Sequence, residues 1–262
     1  WVAFLDADDY YLGDSLSKRV TDLLAHDDDA LIGTFCPALM VNEAGEPLFE
    51  NPLFDYQQPD RRVDYTTTFG SVFNPSCAVI KKTKLLAVGG FDETLTGGED
   101  YALWHRLMRN GDYFLQSADC RIAWVQHPAS TVRANILGHY RQCMAVHDGI
   151  IDALRTMEST TGDDRSPSRK PIVQRIVGTA AVAAIVGDDT ATAAVLDDLE
   201  GSDCETCSAV ELAGTIRFAA LRQLCRPERE WPGVWAQIRP ATNALIEQLA
   251  ANSPGFAGLS TA

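Results

Sequence analysis

The stretch Trp1-Val-Ala-Phe-Leu-Asp-Ala-Asp-Asp-Tyr10 decides how the rest of the chain is read. A short apolar run, Val2 to Leu5, stops abruptly at three carboxylates, Asp6, Asp8 and Asp9. Its length and composition predict a buried strand of an open α/β sheet. Unpaired charge is too costly to desolvate inside such a strand. The acids therefore belong at its carboxyl end, where open α/β sheets place their ligands. Asp6 and Asp8 are two positions apart and point the same way on a strand. Converging carboxylates repel one another unless a cation neutralises them. Hard oxygen ligands with room left for phosphate suit Mg²⁺ or Mn²⁺. Asp-rich stretches also make turns and helix N-caps, and Asp14 is placed to cap the helix that follows. On this stretch alone the cap-and-turn reading and the metal reading weigh the same.

The bulk properties narrow the field. The chain has 262 residues, 46% of them hydrophobic. That is enough for a substantial core and two domains. A formal charge of -14 argues against nucleic-acid binding, which needs a basic face. It also gives no strong attraction to anionic lipid. The 7 cysteines are odd in number and form no framework, which points to reduced thiols in a cytosolic protein. No signal peptide and no membrane-spanning run stand out. The expected location is the cytoplasm, with peripheral contact at the inner face of the cell membrane left open. The chain opens at Trp1, without Met, inside what reads as a central strand. The expectation is a piece of a longer protein whose upstream part is missing.

Downstream, Asp14 to His26 has helical spacing, with Leu16, Val20, Leu23 and Leu24 on one face. Ala30 to Val41 reads as strand broken at Pro37, and Asn42 to Pro47 as a hairpin turn. A strand is expected at Ser76 to Ile80, then a short helix over Lys84 to Val88 capped by Thr83. Gly89-Gly90 and Gly97-Gly98 are free to take unusual dihedrals. A helix runs from Glu99 to Arg109, with Tyr101, Trp104, Leu107 and Met108 inward, and stops at Asn110-Gly111. Two short strands, Tyr113 to Leu115 and Arg121 to Gln126, follow. Asn135 to Met157 is helical and Ser159 to Pro171 reads as a linker. Ile172 to Ala251 is rich in Ala and Leu at helical spacing. Ser208 and Glu211 suggest a capping box, Pro240 interrupts or begins the last helix, and the tail from Ser253 looks disordered.

Glu99 and Asp100 stand at a helix N-terminus, where the dipole and free N–H groups favour a carboxylate. Acids in a first turn are ordinary. A carboxylate delivered by a glycine loop beside an aromatic helix also suits a general base. Cys204-Glu-Thr-Cys207 is one CxxC without a second ligand pair, and reads as two ordinary cysteines.

Four motifs stand together in order: LDADD at Leu5 to Asp9, NPS at Asn74 to Ser76, VGGFDE at Val88 to Glu93, and GGEDYALWHRL at Gly97 to Leu107. The set resembles the family 2 glycosyltransferases of the GT-A fold, over roughly Trp1 to Arg133. The resemblance implies an α/β fold: the carboxyl-terminal part of a GT-A mixed sheet, lacking the nucleotide-binding half, then an all-α region. It divides the chain into a core over 1–133, a helical extension over 134–158, a linker over 159–171 and a helical domain over 172–262. For the parent protein it implies a metal-dependent, inverting transfer of sugar from a nucleotide-sugar donor to a hydroxyl on a glycan, lipid or cell-envelope acceptor; the piece alone, without the nucleotide-binding half, is expected to bind a nucleotide-sugar poorly. Asp8 would be the main ligand of Mn²⁺ or Mg²⁺, with Asp6 supporting the metal or the ribose and Asp9 beside them on the donor. Asp100 would be the catalytic base. His127 would add to the metal or diphosphate, and Arg133 would screen the diphosphate. Gly90, Phe91 and Glu99 would line the acceptor side; Trp104 is most simply core, with a wall of the acceptor site as its alternative place, and Asn74 makes the Asn-Pro turn or contacts the acceptor. One rival is a haloacid-dehalogenase-type phosphohydrolase, which expects Thr or Val where Tyr10 stands. Another is a non-catalytic carbohydrate-binding or scaffold protein.

Overall fold

A computed structural model describes residues 1–26, 28–49, 53–56, 58, 60–64, 73–127, 135–161, 170–199, 209–225, 227 and 230–252. Its strands are Val2–Ala3 (β1), Tyr10–Tyr11 (β2), Leu31–Phe35 (β3), Ala38–Asn42 (β4), Arg62–Val63 (β5), Ala78–Ile80 (β6), Tyr113–Gln116 (β7) and Ile122–Gln126 (β8). Its helices are Ser15–Ala25 (α1), Lys82–Ala87 (α2), Glu99–Met108 (α3), Ile136–Thr161 (α4), Lys170–Val186 (α5), Asp189–Asp197 (α6), Ala209–Leu224 (α7) and Trp231–Asn252 (α8). The strands form a five-stranded sheet, order β1-β6-β3-β7-β5, and a three-stranded sheet, order β2-β8-β4. β3 runs parallel to β7 and β4 parallel to β8, and the remaining pairs are antiparallel. This is the mixed α/β, GT-A-like layout followed by an all-helical region.

The opening strand differs from its expectation. Only Val2 and Ala3 pair, antiparallel to β6, at the sheet edge. With one neighbour, the run alternates instead of being buried throughout. Phe4 turns inward onto Phe91 and Trp104, at 5.4 and 6.4 Å between ring centroids. Leu5 faces out, 47% exposed. The acids do lie past the strand's carboxyl end.

Helix α1 buries Ser15, Arg19 and Leu23, while Leu24 is exposed. The apolar face expected there is displaced because Arg19 is wanted inside. Its Nη1 donates to the carbonyls of Ser76 and Cys77 at 3.2 and 2.8 Å. Asp14 holds the N-cap position without a side-chain capping bond, and pairs with Lys18 instead. Helix α2 begins at Lys82 rather than Lys84, with Lys81 at its N-cap.

Aromatic rings fill the core between sheet and helix. Phe35 stacks on Phe73 at 4.2 Å, and Phe73, Trp104 and Phe114 close the cluster. A second core lies among the helices, built from Val173, Ile176, Val177, Leu212, Ile216, Leu245 and Leu249. Helix α4 serves both. Its Ile150 and Val146 join the first core, and Tyr140 and Ile151 the second. The expected linker is narrower than its sequence suggested, since α4 extends to Thr161 and α5 begins at Lys170. Pro240 lies inside α8, not at its start. Ile238, Thr242, Leu245 and Leu249 are buried on both sides of it, and that packing offsets a penalty of about 3 kcal/mol for Pro in a helix interior.

Candidate active site

The acid loop is held by the 3₁₀ turn Pro75–Cys77 and by β8. Asp6 N–H donates to Ser76 Oγ at 3.0 Å, and the Ser76 side chain hydrogen-bonds Asp9. Asp9 also accepts from Val125 N–H at 3.0 Å and from Asn74 Nδ2 at 3.5 Å. Asp9 is therefore turned into the protein, and burial pushes its carboxyl up to about 6. Asp6 and Asp8 are left facing solvent. Partial burial, then the charges of Asp8 and Glu99, raise the Asp6 carboxyl. The β2–β8 ladder pairs Tyr10 with Ala123 and so brings the loop beside the end of β8. There His127 Nε2 lies 3.0 Å from Asp8 Oδ2.

The second set of acids enters from α3. Gly98, at φ 73°, is its N-cap, a left-handed conformation that glycine adopts without a Cβ penalty. Glu99 and Asp100 follow in the first turn and are half-buried. Asp100 Oδ1 accepts from Tyr101 N–H at 2.7 Å. Burial pushes the carboxyl up to about 6; Glu99 adds to that rise, and Arg175 opposes it. Glu99 acts on Asp6 as well as on Asp100. With Phe4 packed on Phe91 and Trp104, the strand-end acids and the helix acids occupy one neighbourhood.

Residues 1–127 match the family model described as glycosyltransferase like family 2. They are a family 2 glycosyltransferase domain. The glycosyltransferase match makes this a transferase enzyme, with nucleotide-sugar glycosyl transfer as its chemistry. No curated protein and no solved structure matched the chain. Among the described residues, no helix is long and apolar enough to cross a membrane.

Within the glycosyltransferase domain, the expected residues do not all take the places foreseen. Trp104 is fully buried beneath Phe4, its Nε1 donating to Phe73 O at 2.8 Å, so of its two expected places it takes the core and not the acceptor wall. Asn74 is also interior; its Oδ1 takes a hydrogen bond from Cys77 Sγ. Asp9, expected beside the donor, directs its oxygens to Ser76, Val125 and Asn74. Gly90 and Phe91 are half-buried, and Arg106 fixes the loop by donating to the carbonyls of Val88 and Gly90. Arg133, Cys204, Cys207 and Ser208 lie outside the described residues.

Two residues that hold the site had no assigned role in the sequence reading. Ser76 stood in the NPS motif, and its side chain holds the remote acid loop through Asp6 and Asp9. Arg19 was not among the positions expected on the inner face of α1. A polar cavity of about 460 Å³ lined by Pro37, Arg61, Ser117, Asp119 and Arg121, among others, includes none of the expected site residues. Its Arg61 is paired with Asp22.

Proposed function

We propose that the domain is a metal-dependent, inverting glycosyltransferase with Asp100 as its base. The single observation behind this is a packing contact: Phe4, which leads into the acid loop, lies against Phe91 and against Trp104 of α3, which sets Asp6 close enough to the start of α3 for the charge of Glu99 to raise both Asp6 and Asp100. It supports one shared site for the donor's metal and the acceptor's proton. A carboxyl raised to about 6 also suits a base working near neutral pH.

The metal ligands in this reading are Asp8 and His127, supported by Asp6. Among the described residues, no three His, Cys, Asp or Glu side chains form a ready-made cage. Asp8 and His127 at 3.0 Å instead fit Mn²⁺ or Mg²⁺ that arrives with its diphosphate, since such ions take one or two protein ligands and fill the rest with phosphate and water. When bound, the cation would stabilise charge on the departing nucleoside diphosphate. Asp100 takes the proton of the acceptor hydroxyl as that oxygen attacks the anomeric carbon. The bond from that carbon to the diphosphate oxygen breaks in the same displacement, so configuration inverts. Gly90, Phe91 and Glu99 border the acceptor. The acceptor hydroxyl belongs to a glycan, lipid or cell-envelope component. Asp9, Ser76 and Asn74 keep the loop in place.

The test is transfer from a panel of nucleotide-sugars with Mn²⁺ by the wild-type protein and by Asp100→Asn, each made with its upstream sequence, with and without a chelator. Transfer that needs the cation and vanishes in the variant is expected. Undiminished transfer by Asp100→Asn would remove Asp100 from the mechanism.

A further inference from the structure

The glycine turn ahead of α3 is covered by α4. Gln142 Oε1 accepts from Thr96 N–H at 2.9 Å and from Thr96 Oγ1 at 2.8 Å. A Cβ on Gly97 would come within 2.5 Å of His139 Nδ1, and one on Gly98 within 3.4 Å of Cys143 Sγ. The helical region therefore reaches the turn that launches Asp100.

One residue beyond Asp100, a hydrogen-bonded line leads from α3 through α4 into α5. The Tyr101 hydroxyl lies 3.1 Å from Nδ1 of His147, and Nε2 of that ring lies 3.1 Å from Nε of Arg175. Tyr101 and His147 are buried, and Arg175 is half-buried. A guanidinium can only donate, so His147 Nε2 must accept. Burial, aided by the nearby Arg175 and His105, pushes the imidazole down to about 3 and keeps the ring neutral. A neutral ring has one N–H, which is therefore on Nδ1 and is donated to the Tyr101 oxygen. Each member of the line fixes the next. The titratable groups that feel Arg175 are Asp100, His139, Tyr140, Cys143 and His147, with Glu99 acting on Asp100 and Cys143 and His105 on His147.

We infer that Arg175 and His147 are positioning residues for the base: through Tyr101 they hold the first turn of α3 and make the helical region part of the catalytic apparatus. The inference rests on the reading of Asp100 as base. Arg175 also brings a cation near Asp100 that opposes the charge of Glu99.

The experiment is NMR on the full chain, with ¹⁵N-labelled histidine and ¹³C-carboxyl aspartate, assigned with His147→Gln and Asp100→Asn. The expected wild-type signal is a His147 ring in the Nδ1–H tautomer, unchanged from pH 5 to 8. Arg175→Gln should raise the Asp100 titration midpoint by about half a pH unit, because an opposite charge is removed, and Arg175→Lys should restore it. A ring protonated on Nε2, or one that titrates in that range, overturns the line. So does a folded Arg175→Gln chain with an unmoved Asp100 midpoint. If Arg175→Gln does not fold, the wild-type tautomer decides alone. None of these signals depends on transfer. Asp100→Asn that still transfers sugar would sink the base assignment and leave the tautomer standing.

Discussion

Asp9 and Asp100 are carboxyls pushed to about the same value, near 6, and by the same cause, burial. The molecule treats them differently. Asp9, on the strand side, is surrounded by donors: the Val125 N–H, the Asn74 amide and the Ser76 hydroxyl. Asp100, on the helix side, accepts only from backbone N–H groups at the start of its own helix, among the described residues. Asp9 is committed to structure, while Asp100 has capacity left for a ligand. A raised pKa alone therefore does not mark a catalytic group. The count of committed oxygens separates the two.

The comparison is broken most directly by Asp100→Asn. Losing a general base costs about 10²- to 10⁴-fold in rate, so kcat should fall by at least about 100-fold with the fold intact by circular dichroism. Next is Asp9→Ala. It strands three donors, each worth roughly 1 kcal/mol, so unfolding in urea should show a loss of about 3 kcal/mol. An Asp9→Ala chain as stable as wild type would show that the two acids are not different in kind. Ser76→Ala is milder. It removes the acceptor of Asp6 N–H and one donor to Asp9, and about 1 to 2 kcal/mol of stability should go with it. Activity loss in that variant should track the disordering of Asp6, read as weaker Mn²⁺ dependence.

Much of this contrast was legible in the chain, and the rest was hidden for identifiable reasons. The strand-end acids and the two glycines before Glu99 are local signals: charge cannot continue a buried run, and a left-handed N-cap at Gly98 favours glycine. The inner side of α3 was equally plain, since Tyr101, Trp104, Leu107 and Met108 recur at helical spacing and are all buried. The α1 face was misread because a buried Arg is rare, and the carbonyls that Arg19 serves, of Ser76 and Cys77, belong to a distant turn. The inward turn of Asp9 was invisible for the same reason: its donors Asn74, Ser76 and Val125 are remote in sequence. Arg175 carried no signal at all, because α5 is a run of small apolar residues whose packing gives no hint that one side chain reaches α3. Local physics can be read from a sequence, but partners brought together only by the fold cannot.

The smallest expected effect is also the cleanest comparison of the acids, and it is a difference between pH profiles. Folding raises the Asp100 pKa from its ordinary value of 3.8 to about 6. Between these values the folded chain holds a proton that the unfolded chain has released, so this group's contribution is full below about pH 4 and is lost as pH rises through 6. Buried His105 and His147, each lowered to about 3, and His139, lowered to about 4, act in the opposite sense over much of the same range. The wild-type profile alone is therefore uninformative, and the difference from Asp100→Asn isolates the carboxyl. An amide cannot ionise, so the variant should match wild type near pH 4 and gain on it up to pH 7. A shift of this size caps the gain at about 3 kcal/mol, and solvent on one side of a half-buried group reduces it to about 1 kcal/mol. In Asp9→Asn the same relief is opposed, because the new amide N–H₂ faces the donors of Asn74 and Ser76. Urea midpoints at pH 4, 5, 6 and 7 should therefore rise relative to wild type for Asp100→Asn and stay below it for Asp9→Asn. Two parallel rising curves would mean that Asp9's hydrogen bonds contribute nothing and that burial alone describes both acids.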